Sequence, residues 1–115
     1  MNVQPGTADM EIPLTGNTWE QGPEELQELL VEFDYAETGE GYCQGGLNFY
    51  VDGSNQHGGY VIGAGPKSGR DTFEVPFVDS GEPRSHEFRV SLRVHCYAEA
   101  SFKINYIRAD VVSTR

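Results

Sequence analysis

Polar and apolar residues alternate most strictly near the carboxy-terminal end of the chain. Every second residue from 86 to 96 is apolar or uncharged: His86, Phe88, Val90, Leu92, Val94 and Cys96. The residues between them are polar or charged. A two-residue period puts one row of side chains on each face of a β-strand. The pattern therefore predicts a long strand with one buried face and one solvated face.

The same alternation recurs in shorter segments that are bounded by glycine, proline and asparagine. They cover residues 10–14, 29–35, 47–51, 60–62, 73–77 and 102–106. A change of phase at Ile107 predicts a β-bulge in the last strand. Leu26, Leu29 and Leu30 are spaced as on a helix, so we expect at most one short helical turn near residues 24–30.

Seven or eight short strands without a long helix are typical of one architecture. They predict an all-β fold, an antiparallel β-sandwich resembling a jelly roll. The chain has 115 residues, a common size for a single domain, and we expect one domain over residues 1–115.

Charge is distributed unevenly along the chain. The net charge is −10, and residues 1–66 hold eleven acidic residues and no lysine or arginine. Binding to nucleic acid depends on clustered basic residues, so we expect no nucleic-acid partner. The acidic half suits docking to a basic protein surface, and it equally suits a role in keeping the protein in solution.

Two further absences narrow the class of protein. No apolar run approaches the roughly 18 residues of a membrane-spanning helix. Residues 1–6 lack the basic and apolar regions of a secretory signal peptide. We therefore expect no membrane partner, and the chain is interpreted as a complete gene product.

No pattern of catalytic residues stands out. Ser85 and His86 are adjacent and would point to opposite faces of a strand, and His86 is in phase with the apolar row, which favours a packed, hydrogen-bonded side chain. The acidic residues are scattered, and residues 52–55 are more typical of a turn than of a calcium site. We expect a protein that is not an enzyme, with no metal and no cofactor.

Aromatic residues are the main candidates for binding. Trp19, Tyr50 and Tyr60 fall in loops or on the polar face of a strand. Exposed aromatic rings stack on sugars or fill pockets in a protein partner, whereas inward rings would only complete the core. Cys43 and Cys96 are either buried thiols or a disulfide, and a bridge enclosing about 50 residues would stabilise the fold by roughly 4 kcal/mol.

Several segments together resemble a known family. They are residues 12–21, the acidic and leucine-bearing residues 23–29, Cys43, residues 85–90, Cys96 and residues 102–112. These are similar to small β-sandwich minor tail or capsid-decorating proteins of phages that infect actinobacteria. The resemblance covers most of the chain except residues 53–81. It implies that Cys43 and Cys96 approach each other across the two layers, and it transfers no catalytic residue.

The resemblance implies a non-enzymatic virion structural protein that is assembled in the host cytoplasm. Its partners would be other virion proteins and further copies of itself, joined by multivalent docking. An acidic docking face would include Glu20, Glu24, Glu25 and Glu28. The alternative is a carbohydrate-binding module that contacts host surface glycans through the aromatic residues.

Overall fold

The computed structural model describes residues 2–37, 43–57, 65–75 and 81–113, which form two antiparallel sheets packed face to face. Nine strands occur in these ranges: β1 (Asn2–Val3), β2 (Gly6–Ile12), β3 (Thr18–Gln21), β4 (Gln27–Glu37), β5 (Cys43–Val51), β6 (Ser54–His57), β7 (Gly65–Glu74), β8 (Arg84–Cys96) and β9 (Ala100–Ser113).

The strand order confirms the predicted architecture. Sheet 1 has the order β1-β9-β4-β7, and sheet 2 has the order β2-β8-β5-β6. Strand β3 pairs with β8 beyond the end of β2, so β2 and β3 form one interrupted edge strand. Counted in this way, the described ranges form two four-stranded sheets, and consecutive strands lie in different sheets except β5 and β6. This is the order of a jelly roll.

The core depends on the alternation in β8. Phe88, Val90, Leu92 and Val94 are each at most 2% exposed, whereas the intervening Arg89 and Arg93 face solvent. Strand β8 is central in sheet 2 and has β5 on one side and β2 and β3 on the other. The predicted long strand with one buried face is therefore confirmed.

Four phenylalanine rings join the two layers at the centre of the sandwich. The ring centroid of Phe49 in sheet 2 lies 5.8 Å from that of Phe33 and 5.7 Å from that of Phe73, both of which belong to sheet 1. Phe88 lies 5.9 Å away within sheet 2. Tilted pairs such as Phe49–Phe33 and Phe49–Phe73, and the stacked pair Phe49–Phe88, are favourable contacts beyond simple burial.

The segment near residues 24–30 contains no helical turn. The amide of Glu25 donates to the carbonyl of Gly22 at 3.2 Å, which closes a reverse turn, and β4 starts at Gln27. Leu29 then points into the core and Leu30 points outward. The spacing of the leucines alone does not distinguish a helical turn from a strand. The pairing of β4 with β7 on one side and β9 on the other makes this segment a strand. None of the described residues belongs to a helix that is long and apolar enough to cross a membrane.

Strand β9 contains the predicted bulge. Asp34 faces Tyr106 and Tyr35 faces Ile104, so Asn105 is an extra residue opposite β4. The bulge turns Tyr106 to the outer face and brings Ile107 to the inner face. The simple alternation predicted that Tyr106 continues the inward row of Phe102 and Ile104. That prediction is wrong, because the bulge places Tyr106 on the outer face.

Candidate functional site

A buried histidine organises the polar contacts at one end of the sandwich. The side chain of His86 lies on the inner face of β8 and is 3% exposed. Its Nδ1 lies 2.6 Å from Oδ2 of Asp52, and its Nε2 lies 2.8 Å from Oε1 of Gln21. The Trp19 ring packs beside it with a centroid separation of 5.4 Å. The expected packed, hydrogen-bonded histidine is confirmed.

Both partners of the His86 ring are hydrogen-bond acceptors. The amide nitrogen of Gln21 donates to the carbonyl of Glu25 at 2.7 Å, which leaves its Oε1 to accept from the ring. Asp52 contributes a carboxylate on the other side. Each ring nitrogen of His86 is therefore engaged by another side chain of the chain. A ring engaged at both nitrogens is poorly placed to take a proton from a substrate.

Asp52 also fixes the turn that follows β5. Its amide donates to the carbonyl of Glu87 at 2.9 Å, and its Oδ1 accepts from the amide of Glu87 at 2.9 Å. Its φ angle is +52° and that of Gly53 is +82°, both in the left-handed region that tight turns use. The carboxylate therefore serves the turn and His86, as expected for a structural loop.

A second set of polar contacts lies beside the first. Nε1 of Trp19 donates to Oε1 of Gln27 at 3.0 Å, and Nε2 of Gln27 donates to Oε2 of Glu25 at 3.1 Å. Hydrogen bonds from the Ser113 hydroxyl, the Gly22 amide and Gln27, in that order of effect, lower the pKa of Glu25. Trp19 is thus half-buried and turned inward, with its polar atom already bonded.

The three aromatic candidates do not form one surface. Tyr50 is half-buried on the outer face of sheet 2, opposite Arg89. Trp19 is on the inner face, as described above, and Tyr60 lies outside the described residues. Trp19 lies opposite the inward His86 of β8, whereas Tyr50 lies opposite the outward Arg89. The two side chains are therefore on different faces of sheet 2.

The proposed acidic face is divided between the two sheets. Glu20 is exposed on the outer side of sheet 2, between the inward Trp19 and Gln21, whereas Glu28 is on the outer side of sheet 1. Glu24 is exposed in the turn, and Glu25 is held by hydrogen bonds within the chain. Strand alternation and the reverse turn thus place Glu20 and Glu28 on the outer sides of different sheets, and the docking role of Glu20, Glu24, Glu25 and Glu28 stays a prediction.

The outer face of sheet 2 carries two adjoining depressions, which we name the sheet 2 trough. One has a volume of about 420 Å³, and its polar lining is Asp9, Glu11, Tyr50, Arg89 and Ser91. The other, of about 360 Å³, is lined by Thr7, Gln44, Asn48, Arg93 and His95 around the pair Gly45–Gly46.

Gly45 and one ion pair shape the trough. At Gly45 the φ angle is +119°, and a Cβ would lie 2.2 Å from the carbonyl oxygen of Arg93, so only glycine fits. In the first depression Nη2 of Arg89 lies 2.7 Å from Oε1 of Glu11, and Glu11 raises the pKa of Arg89. The trough is thus a shallow depression in which polar side chains alternate with apolar surface, and Tyr50 and His95 contribute its aromatic rings.

The two cysteines are bonded to each other. Cys43 in β5 and Cys96 in β8 face each other as partners within sheet 2, with Cα atoms 4.1 Å apart. The disulfide therefore links neighbouring strands of one sheet. The implied bridge across the two layers is wrong, because the directly opposed positions on β5 and β8 bring the sulfur atoms together inside sheet 2.

Within the part of the chain that the structure describes, one side of the β9 backbone is open beyond Ser101. Strand β4 pairs with it from Phe102 to Ser113, whereas β1 reaches only Ala100 and Ser101 on the other side. No other strand in the described ranges pairs there. We name residues 105–113 the β9 edge. Three of its side chains are large, apolar and exposed: Tyr106 (37%), Val111 (37%) and Val112 (41%).

Three buried polar residues were not identified from the sequence. Gln21, Gln27 and Glu37 are each at most 6% exposed. The two-residue period could have identified them as inward-facing. Gln21 is two residues after the inward Trp19, and Gln27 and Glu37 are in phase with the inward Leu29. Burial raises the pKa of Glu37.

The chain was compared with family models, with curated proteins and with solved structures, and none of these comparisons gave a match.

Proposed function

We propose that this chain is a non-catalytic assembly protein, and that the particle to which it belongs is a virion. The observation that carries this proposal is a jelly-roll sandwich with an open apolar strand, the β9 edge. Jelly rolls build viral capsids as well as lectins, so the strand order is compatible with the role without assigning it. An unpaired strand with exposed apolar side chains is suited to contact with another protein.

The charge of the chain supports docking as its mode of action. A net charge of −10 favours association with a basic neighbour and opposes nucleic-acid binding. Repetition of one modest contact over many copies on a particle gives high avidity. The buried His86, whose two ring nitrogens are both bonded within the chain, fits a structural role better than a catalytic one.

The test is whether the protein is a component of the particle. Virions of the phage that encodes the chain would be purified by density-gradient centrifugation, and their proteins would be quantified by mass spectrometry against the major capsid protein. We expect a fixed copy number per particle that survives a high-salt wash. Absence from banded particles, with the protein present in the infected-cell lysate, would overturn the proposal.

The sheet 2 trough favours a second function, the binding of an extended glycan. Tyr50 offers an aromatic face, and Asp9, Glu11, Arg89 and Asn48 offer hydrogen-bonding groups along an open surface. Sugar recognition uses this combination of stacking and polar contacts.

A glycan array followed by titration calorimetry would test this second function. Tyr50→Ala is expected to abolish binding, whereas Tyr106→Ala, which alters an exposed tyrosine on the outer face of sheet 1, is the matched control. Lack of binding to any glycan at millimolar concentration would eliminate the idea.

A further inference from the structure

The two edges of sheet 1, β7 on one side and the β9 edge on the other, differ in how they resist pairing. The sequence of β7 contains Pro66 and the glycines Gly65 and Gly69. Proline and glycine are devices that discourage an edge strand from pairing with another chain. The β9 edge contains neither residue type over residues 105–113, so it is the better template for an added strand.

The two faces of the β9 edge are chemically distinct. From the register with β4, Tyr106, Arg108, Asp110 and Val112 lie on the outer face of sheet 1. The residues between them, Ile107, Ala109 and Val111, lie on the inner side. A second copy that extends the same sheet keeps outer residues beside outer residues. Only registers that join like faces are therefore possible.

We propose that β9 pairs antiparallel with β9 of a second copy of this chain, about a two-fold axis at Ala109. In this register Arg108 faces Asp110 of the second copy, and symmetry repeats that pair. Tyr106 faces Val112 of the second copy on the outer side, and Ile107 faces Val111 of the second copy on the inner side. Each exposed apolar side chain of the β9 edge thus meets an apolar partner.

Neighbouring registers lack this complementarity. An axis at Arg108 places two arginines opposite each other, and an axis at Asp110 places two aspartates opposite each other. Facing like charges destabilise a strand pair, whereas opposite charges and aromatic–aliphatic pairs stabilise it. The small side chain of Ala109 at the axis lets the two backbones approach without a clash. The sequence of β9 is therefore complementary to itself at one register.

The proposed contact is small and depends on its register. Nine residues of strand extend about 30 Å, and one sheet layer is about 10 Å thick, so the strand pair covers on the order of 300 Å² on each chain. Contacts of that size are weak, so we expect the dimer at high protein concentration. The result is one continuous sheet formed from both copies of sheet 1.

Cysteine cross-linking tests the register directly. At the proposed axis, position 109 is the only one that faces itself, with a Cα separation of about 5 Å. Ala109→Cys should give a disulfide-linked dimer on non-reducing gels after mild oxidation. Ile107→Cys alone should not, whereas a mixture of the Ile107→Cys and Val111→Cys proteins should. Cross-linking of Ile107→Cys alone as fast as of Ala109→Cys would overturn the register.

Sedimentation equilibrium of the full chain tests the dimer itself. We expect Arg108→Glu to weaken dimerisation about tenfold or more, because it sets Glu against Asp110 twice. Arg70→Glu is the matched control, since Arg70 is paired with the same Glu32 from the opposite side of β4. The double variant Arg108→Asp with Asp110→Arg should restore the dimer. A wild-type chain that is monomeric up to millimolar concentration would overturn the proposal.

This inference goes beyond the assembly role and does not depend on it. A dimer can exist in a protein that never enters a virion, and a virion protein can use another contact. The cross-linking experiment therefore tests only the dimer, and the protein content of the particle tests only the assembly role.

Discussion

Strands β8 and β9 have nearly equal lengths and similar sequence patterns, and the fold uses them in opposite ways. Strand β8 is paired on both sides and its apolar row is buried, with Val90 and Leu92 fully covered. Strand β9 pairs with β1 at its first two residues and with β4 from Phe102 onward, and Val111 and Val112 near its end remain exposed. The periodicity specifies a strand in both cases. The neighbours decide whether the apolar residues stabilise the fold or are available to a partner.

Removal of the disulfide should have the largest effect on stability. The bridge joins β8 to β5 across 53 residues of chain, and its loss should reduce the free energy of unfolding by about 4 kcal/mol in the chain-entropy model. The measurement is urea unfolding of the Cys43→Ala, Cys96→Ala double variant, followed by the fluorescence of Trp19. An unchanged midpoint would show that pairing alone holds β8 in place.

The same substitution in the two strands should separate their roles. Val90→Ala removes two methyl groups from the core and should cost about 2–3 kcal/mol. Val112→Ala, on the exposed end of β9, should change the free energy of unfolding by less than about 0.5 kcal/mol when the chain is monomeric. Thermal and urea unfolding at low protein concentration would compare them. Equal losses would mean that β9 is buried as fully as β8.

A carboxyl group near the start of β9 should respond to pH in one direction. Glu37 faces Phe102 and burial raises its pKa above the ordinary 4.5. Burial disfavours the charged form of Glu37 in the folded state. The contribution of Glu37 to the free energy of unfolding is therefore most favourable below pH 4.5 and decreases as the pH rises through the raised pKa. Glu37→Gln should therefore stabilise the protein at pH 7 and lose this advantage below pH 4.5. A difference that does not change with pH would contradict the argument.

A second carboxyl group, at the other end of β9, should respond in the opposite direction and by less. Hydrogen bonds from Ser113, Gly22 and Gln27 lower the pKa of Glu25 below 4.5. This stabilisation is present above pH 4.5 and disappears as the pH falls through the lowered pKa. Glu25→Gln should destabilise the protein slightly at pH 7 and have no effect at pH 2. The measurement is the free energy of unfolding of both variants between pH 2 and pH 7. Relative to the wild-type chain, the Glu37→Gln variant should gain stability as the pH rises and the Glu25→Gln variant should lose it.

The sequence was most informative where burial and pattern agree. The alternation in β8 indicated both the strand and the inward position of His86, and the phase change at Ile107 indicated a bulge, which the structure places at Asn105. Local periodicity was sufficient there because a wrong phase would expose a whole row of apolar side chains.

The sequence was least informative where the partner decides the outcome. Leu26, Leu29 and Leu30 fitted a helical turn, and pairing with β7 and β9 made the segment a strand. The acidic residues Glu20 and Glu28 are a short distance apart in the chain, and they lie on the outer sides of different sheets. The contacts of Asp52 and Gln21 with His86 join residues far apart in the chain, which no short window of sequence contains.

The order of the strands also constrains how the chain folds during synthesis. Gly6 to Ile12 pair with residues 90–96, and Asn2 and Val3 pair with Ser101 and Ala100. The first strands therefore have no partner until almost the whole polypeptide has left the ribosome. Of the strands described, only β5 and β6 pair with a neighbour in sequence, and such non-local topologies fold slowly. The nascent chain must keep its amino-terminal strands unpaired for most of translation, a period in which a chaperone would protect them from aggregation.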